Sequence, residues 1–370
     1  MPMQSRSGSE DSMGEQRAIP RPDLRTLEGY HSPQIEVEVR LNTNESPLPP
    51  PSGFVEALTD GIRDLPLNRY PDRSAFRLRE RLADRCGLQV GQVFAANGSN
   101  EVIQSILLAY GGPDRSVAVF EPTYGMHAQL ARTTGTRVVS GRRNDRFLLD
   151  PGQVTSLVEA ERPEVVFLCS PNNPTGTLDP DGLVDIAVDA VGDYGGLVVV
   201  DEAYGQFAPT SALDRIGEDR SLLVTRTFSK TWAMAGIRLG YLLGPSWCVA
   251  ELEKVALPYH LGAVTQLAGL VALDHEAEMS DRVALLVAER ERLSSCLAEL
   301  DVTVWPSAAN FVLFRPEAEP VGRVWSGLLD RSVLLRDCST WDGLNGCLRV
   351  TIGTQEENDR FLVALREVLA

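Results

Sequence analysis

The sequence contains few histidines, and its cysteines do not follow the spacing of a metal site. Four histidines accompany six cysteines, and no two cysteines are arranged as CxxC. Because metal sites in proteins need clusters of such ligands, we expect no metal centre. The cysteines are expected to be free thiols, which favours the reducing environment of the cytoplasm.

Basic side chains and long apolar runs are also scarce. The chain has 35 Lys and Arg against 51 Asp and Glu, a formal charge of -16 at pH 7. A protein that binds nucleic acid normally presents a basic field, so this balance argues against a nucleic-acid partner. No run of about 18 apolar residues occurs, and the N-terminal residues lack an apolar segment, which argues against a membrane partner.

The composition is that of a large globular protein. Of the 370 residues, 43% are hydrophobic, enough for a sizeable core. A chain of this length exceeds what one core usually organises, so we expect a large and a smaller domain in close contact. Residues 1–19 are polar and predict a flexible tail. The large domain is expected over residues 53–255, and a smaller α+β domain over residues 256–370.

Short apolar segments alternate with helical ones in the first part of the chain, a pattern typical of an α/β protein with a mostly parallel sheet. The segments are rich in Val, Ile and Leu, as expected of strands buried on both faces. Ligands of such sheets bind beyond the carboxyl ends of the strands. Polar clusters follow five of the predicted strands, so one shared site is expected at this edge. The six predicted strands are 92–96, 116–120, 164–169, 196–201, 222–228 and 238–244. The clusters are NGSNE, EPTYG, SPNNPTG, DEAY and SK.

Lys230 is the candidate nucleophile of this site. It follows a predicted strand, lies beside Ser229 and precedes an apolar stretch that leads to Arg238. Desolvation or a nearby cation lowers the pKa of a lysine, and the neutral amine forms a Schiff base with an aldehyde. The structural alternative is a lysine that extends from an apolar loop into water.

Asp201 is the candidate partner of a charged ligand. It comes directly after three valines, and a carboxylate at the end of a buried strand needs a charged partner or hydrogen-bond donors. It could keep a pyridine nitrogen protonated, with Tyr204 as a donor to the same ligand. On local grounds a helix N-cap explains Asp201 as well. Tyr124, in EPTYG, could stack on a planar ring or fill the core.

Candidates for binding the anionic or polar groups of a ligand occur in both predicted domains, and each has a structural alternative. Gly98 permits close backbone approach, and Ser99 begins a helix whose first amides attract phosphate, although an ordinary N-cap looks the same. The loop SPNNPTG suits presentation of the Asn173 amide, and turn formation alone explains its Pro and Gly. Arg336 and Arg349 alternate with apolar residues on predicted strands, where they bind an anion or form structural ion pairs.

The motifs, taken together and in this order, resemble those of the fold-type-I pyridoxal 5'-phosphate (PLP)-dependent aminotransferases, and among them the histidinol-phosphate aminotransferases. The resemblance extends from about residue 23 to residue 370 and includes LNTNESP, NRYPD, LPYHLGAVTQ and CLRVTIGT. It implies a large domain with a mostly parallel seven-stranded sheet flanked by helices, beside a smaller α+β domain. It also implies that residues 20–52 form an N-terminal arm that packs with the small domain and a partner subunit of a homodimer.

The resemblance implies a role for each candidate. Lys230 would bond covalently to PLP and move the proton between substrate and cofactor. Asp201 would pair with the ring nitrogen, Asn173 and Tyr204 with the ring oxygen, and Tyr124 would stack on the ring. The phosphate would be held by Gly98, Ser99, Asn100, Ser229 and Arg238, together with Tyr70 of the partner subunit.

The implied reaction transfers the amino group of L-histidinol phosphate to 2-oxoglutarate, a step of histidine biosynthesis. Tyr30, Asn173, Arg336 and Arg349 would bind the substrates, since one arginine pair can serve a phosphate and a carboxylate in turn. Three alternatives stay open: an aromatic amino-acid aminotransferase, a PLP decarboxylase acting on an O-phospho amino acid, and a non-catalytic effector-sensing domain of a transcription regulator. The last would need a basic DNA-binding module, which the polar N-terminal tail does not supply.

Overall fold

The computed structural model describes residues 18–25, 27, 29 and 33–370. Within these residues the chain forms two β-sheets and eleven α-helices. The elements up to the middle of the chain are β1 (Val39–Leu41), α1 (Ser52–Arg63), α2 (Phe76–Cys86), β2 (Val93–Ala96), α3 (Ser99–Tyr110), β3 (Ser116–Glu121), α4 (Met126–Thr133), β4 (Arg137–Arg142), α5 (Pro151–Glu161), β5 (Val165–Cys169), α6 (Leu183–Gly192) and β6 (Leu197–Asp201). They are followed by β7 (Leu222–Thr227), β8 (Gly240–Leu243), α7 (Ser246–Val255), α8 (Ala263–Leu273), α9 (Glu276–Ala298), β9 (Val302–Val304), β10 (Phe311–Pro316), α10 (Val321–Leu329), β11 (Val333–Asp337), β12 (Leu348–Thr351) and α11 (Gln355–Leu369).

The larger sheet has seven strands in the order β2-β8-β7-β6-β5-β3-β4. The run from β7 to β4 is parallel, whereas β8 is antiparallel to both of its neighbours, β7 and β2. Strand β2 therefore has the direction of the parallel strands. Six strands end at one edge of the sheet, and β8 begins at that same edge.

The centre of the larger sheet is buried on both faces. Every residue of β5, β6 and β7 is buried. One face packs against α2, α5, α6 and α8, and the other packs against α3 and α7. Val and Leu dominate these strands because both faces need apolar side chains. The fold class is therefore the predicted one, an α/β protein with a mostly parallel seven-stranded sheet.

The six predicted strands are present as β2, β3, β5, β6, β7 and β8, with ends that differ by at most two residues. Strand β4 was not predicted. It forms the edge of the sheet, where Arg137, Ser140 and Arg142 are exposed, so it lacks the continuous apolar run of the central strands.

The smaller sheet has five strands in the order β1-β11-β12-β10-β9. Strand β1 lies parallel to β11, with Val39 opposite Val333, and the remaining pairs are antiparallel. Residues near the N-terminus thus complete a sheet made of C-terminal strands. The boundaries of the arm (20–52) and of the two domains (53–255 and 256–370) stay a prediction, and the tail (1–19) lies almost wholly outside the described residues.

The described residues contain neither a membrane-crossing helix nor a metal-binding cluster. No helix among them has both the length and the apolar character needed to cross a membrane. No group of three or more His, Cys, Asp or Glu side chains in that part of the chain is placed to hold a metal ion.

Candidate active site

A cavity of about 650 Å³ opens at the edge where the strands of the larger sheet end, and residues of the smaller sheet complete its wall. Parallel strands direct their carboxyl ends to one edge, which explains why residues far apart in sequence meet here. The predicted residues that line the cavity are Ser99, Asn100, Tyr124, Asn173, Asp201, Tyr204, Ser229, Lys230, Arg238, Arg336 and Arg349. Their individual roles stay predictions.

Asp201 is the last residue of β6 and only 2% exposed. Its Oδ2 lies 2.9 Å from Nε2 of His127, which is fully buried. Its Oδ1 accepts hydrogen bonds from the Ala203 amide at 3.0 Å and from Oγ1 of Thr225 at 3.3 Å. These contacts satisfy the carboxylate, as its burial requires. Asp201 is therefore a fixed negative group in the cavity, and no α-helix follows it that it could cap.

Lys230 is partly buried three residues after β7. Its Nζ donates hydrogen bonds to the carbonyl oxygens of Asn44, at 2.8 Å, and of Thr43, at 3.3 Å. Burial lowers the pKa of Lys230 to about 8, and the charges of Arg349 and Arg238 add to this effect. The amine is therefore much easier to deprotonate than a lysine in water, as a nucleophile or base requires.

An anion-binding cradle lies where α3 begins. Gly98 precedes the helix with φ +85°, and a Cβ at this position would lie 2.7 Å from Nη2 of Arg238. A Cβ on Gly240 would lie 2.3 Å from the Ser99 amide nitrogen, so both positions need glycine. Arg238 donates to Oγ of Ser229 at 3.4 Å. A helix N-terminus, a hydroxyl and a guanidinium together suit a phosphate group.

Arg349 connects the smaller sheet to the SPNNPTG loop. Its Nη1 donates to Oδ1 of Asn173 at 2.5 Å, and its Nη2 donates to the Asn42 carbonyl at 3.1 Å. Arg349 is 5% exposed, and its buried Nε has no hydrogen-bond partner among the described residues. The guanidinium of Arg336, opposite Arg349 in the β11–β12 ladder, lies 5.2 Å from the ring centroid of Trp341. Two cations thus face the cavity from adjacent strands.

Two tyrosines line the cavity, and the hydroxyl group of each is hydrogen-bonded to an asparagine side chain. Tyr124 donates to Oδ1 of Asn100 at 3.1 Å, and its ring meets the ring of His127 edge-on. The hydroxyl of Tyr204 accepts from Nδ2 of Asn44 at 2.9 Å. Burial raises the pKa of Tyr204 to about 12, so the phenol stays protonated and can still donate its proton.

Three predicted residues are not among those that line this cavity. Gly98 lies directly before Ser99, behind the anion-binding cradle. Tyr70 is 79% exposed, and its ring stacks on that of Tyr259 with centroids 4.4 Å apart. It does not line the cavity of its own chain, as expected if it serves a partner subunit. Tyr30 lies outside the described residues.

Sequence reasoning missed several residues of the site. His127 stacks on Phe167 and contacts Asp201, but a lone histidine in a helix carries no signal of such a role. Residues 42–44 enter the sequence prediction only as part of LNTNESP. In the structure the Asn42 carbonyl accepts from Arg349, and the carbonyls of Thr43 and Asn44 accept from Lys230. The Asn44 side chain donates to the Tyr204 hydroxyl. Cavity residues that were not predicted also include Glu45, Glu121, Trp341 and Asp342.

Comparison with known proteins agrees with this geometry. The family model for aminotransferases of class I and II matches residues 36–365. The histidinol-phosphate aminotransferase of Frankia casuarinae is 45% identical over 361 residues, covering 94% of this chain and 90% of that protein. Its counterpart from Mycolicibacterium vanbaalenii is 42% identical over 355 residues, with coverage of 93% and 94%. Histidinol-phosphate aminotransferase from Sinorhizobium meliloti, solved in complex with pyridoxal-5'-phosphate, has the same fold, with a TM-score of 0.85, 23% identity, and 95% and 98% coverage.

Proposed function

Because the chain belongs to the class I and II aminotransferases and, among them, to the histidinol-phosphate aminotransferases, we propose that it transfers the amino group of L-histidinol phosphate to 2-oxoglutarate with PLP as cofactor. The products are imidazole acetol phosphate and glutamate. The observation that carries the proposal is the Lys230 amine, whose pKa is lowered to about 8 and which shares one cavity with the Asp201 carboxylate and with Arg238 and Arg349.

The residues of the cavity fit a flat, phosphorylated pyridine. The cradle of Ser99, Ser229 and Arg238 suits the phosphate, and a side chain at position 98 would fill it. Asp201, buried and hydrogen-bonded, suits a protonated ring nitrogen. Tyr124 offers an aromatic surface for the ring, and Lys230 an amine for the aldehyde. The cofactor-binding residues inferred from the sequence are therefore compatible with PLP.

Asp201 and His127 would set the electronic state of the ring. When bound, PLP supplies an electron sink that stabilises negative charge on the substrate carbon. Asp201 supports this by holding a proton on the ring nitrogen, and His127 keeps the carboxylate in place through its 2.9 Å contact. Asn173 and Tyr204 would bind the ring oxygen, because each has a polar side-chain group in the cavity wall.

Lys230 would move the proton at the reacting carbon. With a pKa of about 8, a substantial fraction of its amine is neutral near physiological pH and can accept a proton. Its hydrogen bonds to the carbonyls of Thr43 and Asn44 orient Nζ while it is not bonded to the cofactor. The amine can then return the proton to a neighbouring position, as transamination requires.

Arg349 and Arg336 would bind the anionic ends of both substrates. The buried Nε of Arg349 has no partner among the described residues, so an anion there would satisfy it. A phosphate monoester and a carboxylate both accept paired hydrogen bonds from a guanidinium. Histidinol phosphate and 2-oxoglutarate could therefore use the same two arginines in alternate half-reactions. Tyr30 would assist them.

We also propose that the enzyme is a homodimer with shared active sites. Leu67, Tyr70 and Leu257 are 72%, 79% and 75% exposed, and the ring of Tyr70 stacks on that of Tyr259, so the two segments that carry them adjoin. Exposed apolar side chains that lie together suit a partner surface. Tyr70 of the partner subunit would complete the phosphate cradle. The cytoplasm is the proposed location, supported by six cysteines that are all free in the described residues.

The test compares amino donors. Purified protein with PLP and 2-oxoglutarate is supplied with histidinol phosphate, phenylalanine or tyrosine, and glutamate formation is measured. We expect kcat/KM for histidinol phosphate to exceed the others at least about tenfold, since a phosphate monoester carries a charge of roughly −1.5 to −2 at pH 7 and is held more strongly by two arginines than a carboxylate. If phenylalanine or tyrosine is the better donor, the enzyme is an aromatic amino-acid aminotransferase instead.

A further inference from the structure

One part of the cavity wall has no role in the proposed mechanism. Glu121 is the last residue of β3, and Trp341 and Asp342 belong to the loop between β11 and β12. All three line the cavity. None of them belongs to the phosphate cradle or contacts Asp201 or Lys230 through a hydrogen bond in the described residues.

Several contacts hold the loop against the end of β3. Arg142 forms two hydrogen bonds with the Asp342 carboxylate, at 2.9 and 3.3 Å. Arg142 is the residue opposite Glu121 in the β3–β4 ladder. A Cβ on Gly343 would lie 3.4 Å from Cδ of Pro122, so the loop also touches the residue after Glu121. Glu121, Trp341 and Asp342 thus lie at one place on the wall, although two different sheets supply them.

This place adjoins Arg336, whose guanidinium lies over the ring of Trp341, but the polar groups of the place itself are the carboxyl groups of Glu121 and Asp342. Oε2 of Glu121 accepts a hydrogen bond from the Thr123 amide at 3.0 Å, and Oε1 accepts none from the described residues. Burial raises the pKa of Glu121, and the nearby charge of Asp342 contributes to this. A hydrogen-bond donor on a ligand would therefore stabilise the carboxylate. The indole of Trp341 provides a flat apolar surface beside it.

The shape of the substrate decides what binds there. The reacting carbon of histidinol phosphate carries an amine, a phosphate arm and an imidazole arm. The amine must reach Lys230, and the phosphate suits Arg336 and Arg349. We propose that Glu121, Trp341 and Asp342 bind the imidazole ring, with Glu121 accepting a hydrogen bond from a ring N–H and Trp341 contacting the ring face. This inference rests on the proposed function and identifies what separates imidazole from phenyl donors.

The first test replaces Glu121 by Gln, which keeps the size and removes the charge. Single half-reactions are followed by the absorbance of the bound cofactor, with histidinol phosphate, phenylalanine and glutamate as donors. Only histidinol phosphate has a ring N–H, so the ratio of its kcat/KM to that of glutamate should fall roughly tenfold, as expected for losing a charge-assisted hydrogen bond. The matched control is Glu159→Gln, on the exposed face of α5, which should leave the ratio as in wild type.

A second variant tests the contact between Trp341 and the substrate ring separately from the hydrogen bond to the Glu121 carboxylate. Trp341→Ala should lower kcat/KM for histidinol phosphate and phenylalanine alike, by roughly three- to tenfold, since both contain a planar ring. The subsite would be overturned if Glu121→Gln left the ratio of kcat/KM for histidinol phosphate to kcat/KM for glutamate unchanged. It would also be overturned if both variants lowered kcat/KM equally for these two donors. If wild-type protein does not use histidinol phosphate at all, the proposed function fails before the subsite is tested.

Discussion

The two sheets contribute to the cavity in different ways. The larger sheet contributes strand ends: Asp201 is the last residue of β6, and Ser229 and Lys230 follow β7. The smaller sheet contributes side chains from within its strands, since Arg336 lies in β11 and Arg349 in β12. The contacts differ as well. Asp201 is held by residues of its own region, whereas Arg349 reaches across to Asn173.

This difference indicates that binding of the cofactor and binding of the substrates depend mainly on different sheets. Strand ends in a buried parallel sheet are fixed by the ladder itself, so they suit a cofactor that must be held in one geometry. Arg336 and Arg349 lie on the second sheet, and Arg349 reaches the first one through the Asn173 side chain, so we expect them to bind substrates rather than to position the cofactor. We infer that the larger sheet holds the cofactor, and that the smaller sheet, together with Asn173 and Glu121 from the larger one, selects what reacts with it.

The largest expected effect comes from removing the amine of the larger sheet. Lys230→Ala should lower kcat by at least about 10⁴-fold, because nucleophile and proton acceptor are lost together. It should also abolish covalent attachment of PLP. Borohydride reduction followed by mass spectrometry measures the attachment directly. The chain has only one other lysine, Lys254, which is exposed and paired with Glu251.

Lys254→Ala is therefore the matched control and should retain the mass increase of the reduced adduct. Attachment that persists in Lys230→Ala, or disappears in Lys254→Ala, would show that the covalent bond forms elsewhere. Either result would also remove the basis for assigning the cofactor to the larger sheet.

Arg349→Gln tests the smaller sheet and should separate substrate affinity from cofactor binding. We expect PLP uptake to persist while kcat/KM for glutamate falls roughly 10- to 100-fold, since a charged hydrogen-bond donor is lost. Arg349 is the charge that contributes most to lowering the pKa of Lys230. Without it this pKa should rise from about 8 towards its ordinary value of 10.5, so covalent PLP binding should need a higher pH.

The pH dependence is measured by absorbance after mixing the apoprotein with PLP between about pH 6 and pH 10, the range in which a perturbed lysine titrates. Arg315→Gln, a partly exposed arginine of the neighbouring strand β10, is the control. A wild-type pH profile in Arg349→Gln would mean that Arg349 does not influence the pKa of Lys230, and that the two regions are electrostatically independent.

The contrast between strand ends in the larger sheet and side chains within the strands of the smaller sheet also explains which site residues could be predicted from the sequence. Asp201, Lys230 and the NGSNE turn follow apolar runs, and parallel strands that end at one edge bring such positions together whatever the loops do. Arg336 and Arg349 were found by their alternation with apolar residues, but their placement in the cavity followed only from the resemblance. The contact of Trp341 and Asp342 with the end of β3 depends on packing between two sheets, which no local pattern encodes. His127 was missed because its contact with Asp201 joins α4 to β6, and a lone histidine in a helix gives no signal of such a contact.

The smallest expected effect concerns the proposed third contributor, a partner subunit. Tyr70→Phe removes one hydroxyl from a residue that is 79% exposed in its own chain. If Tyr70 of the partner subunit binds the phosphate of PLP, its loss should weaken PLP retention about fivefold, the value of one ordinary hydrogen bond, while attachment to Lys230 remains. Retention is measured by dialysis and cofactor absorbance. Tyr194→Phe, which loses a hydrogen bond to the Pro163 carbonyl far from the cavity, is the control. Equal retention in both variants would mean that the hydroxyl of Tyr70 does not bind the cofactor. The cofactor site would then be confined to the two sheets of one chain.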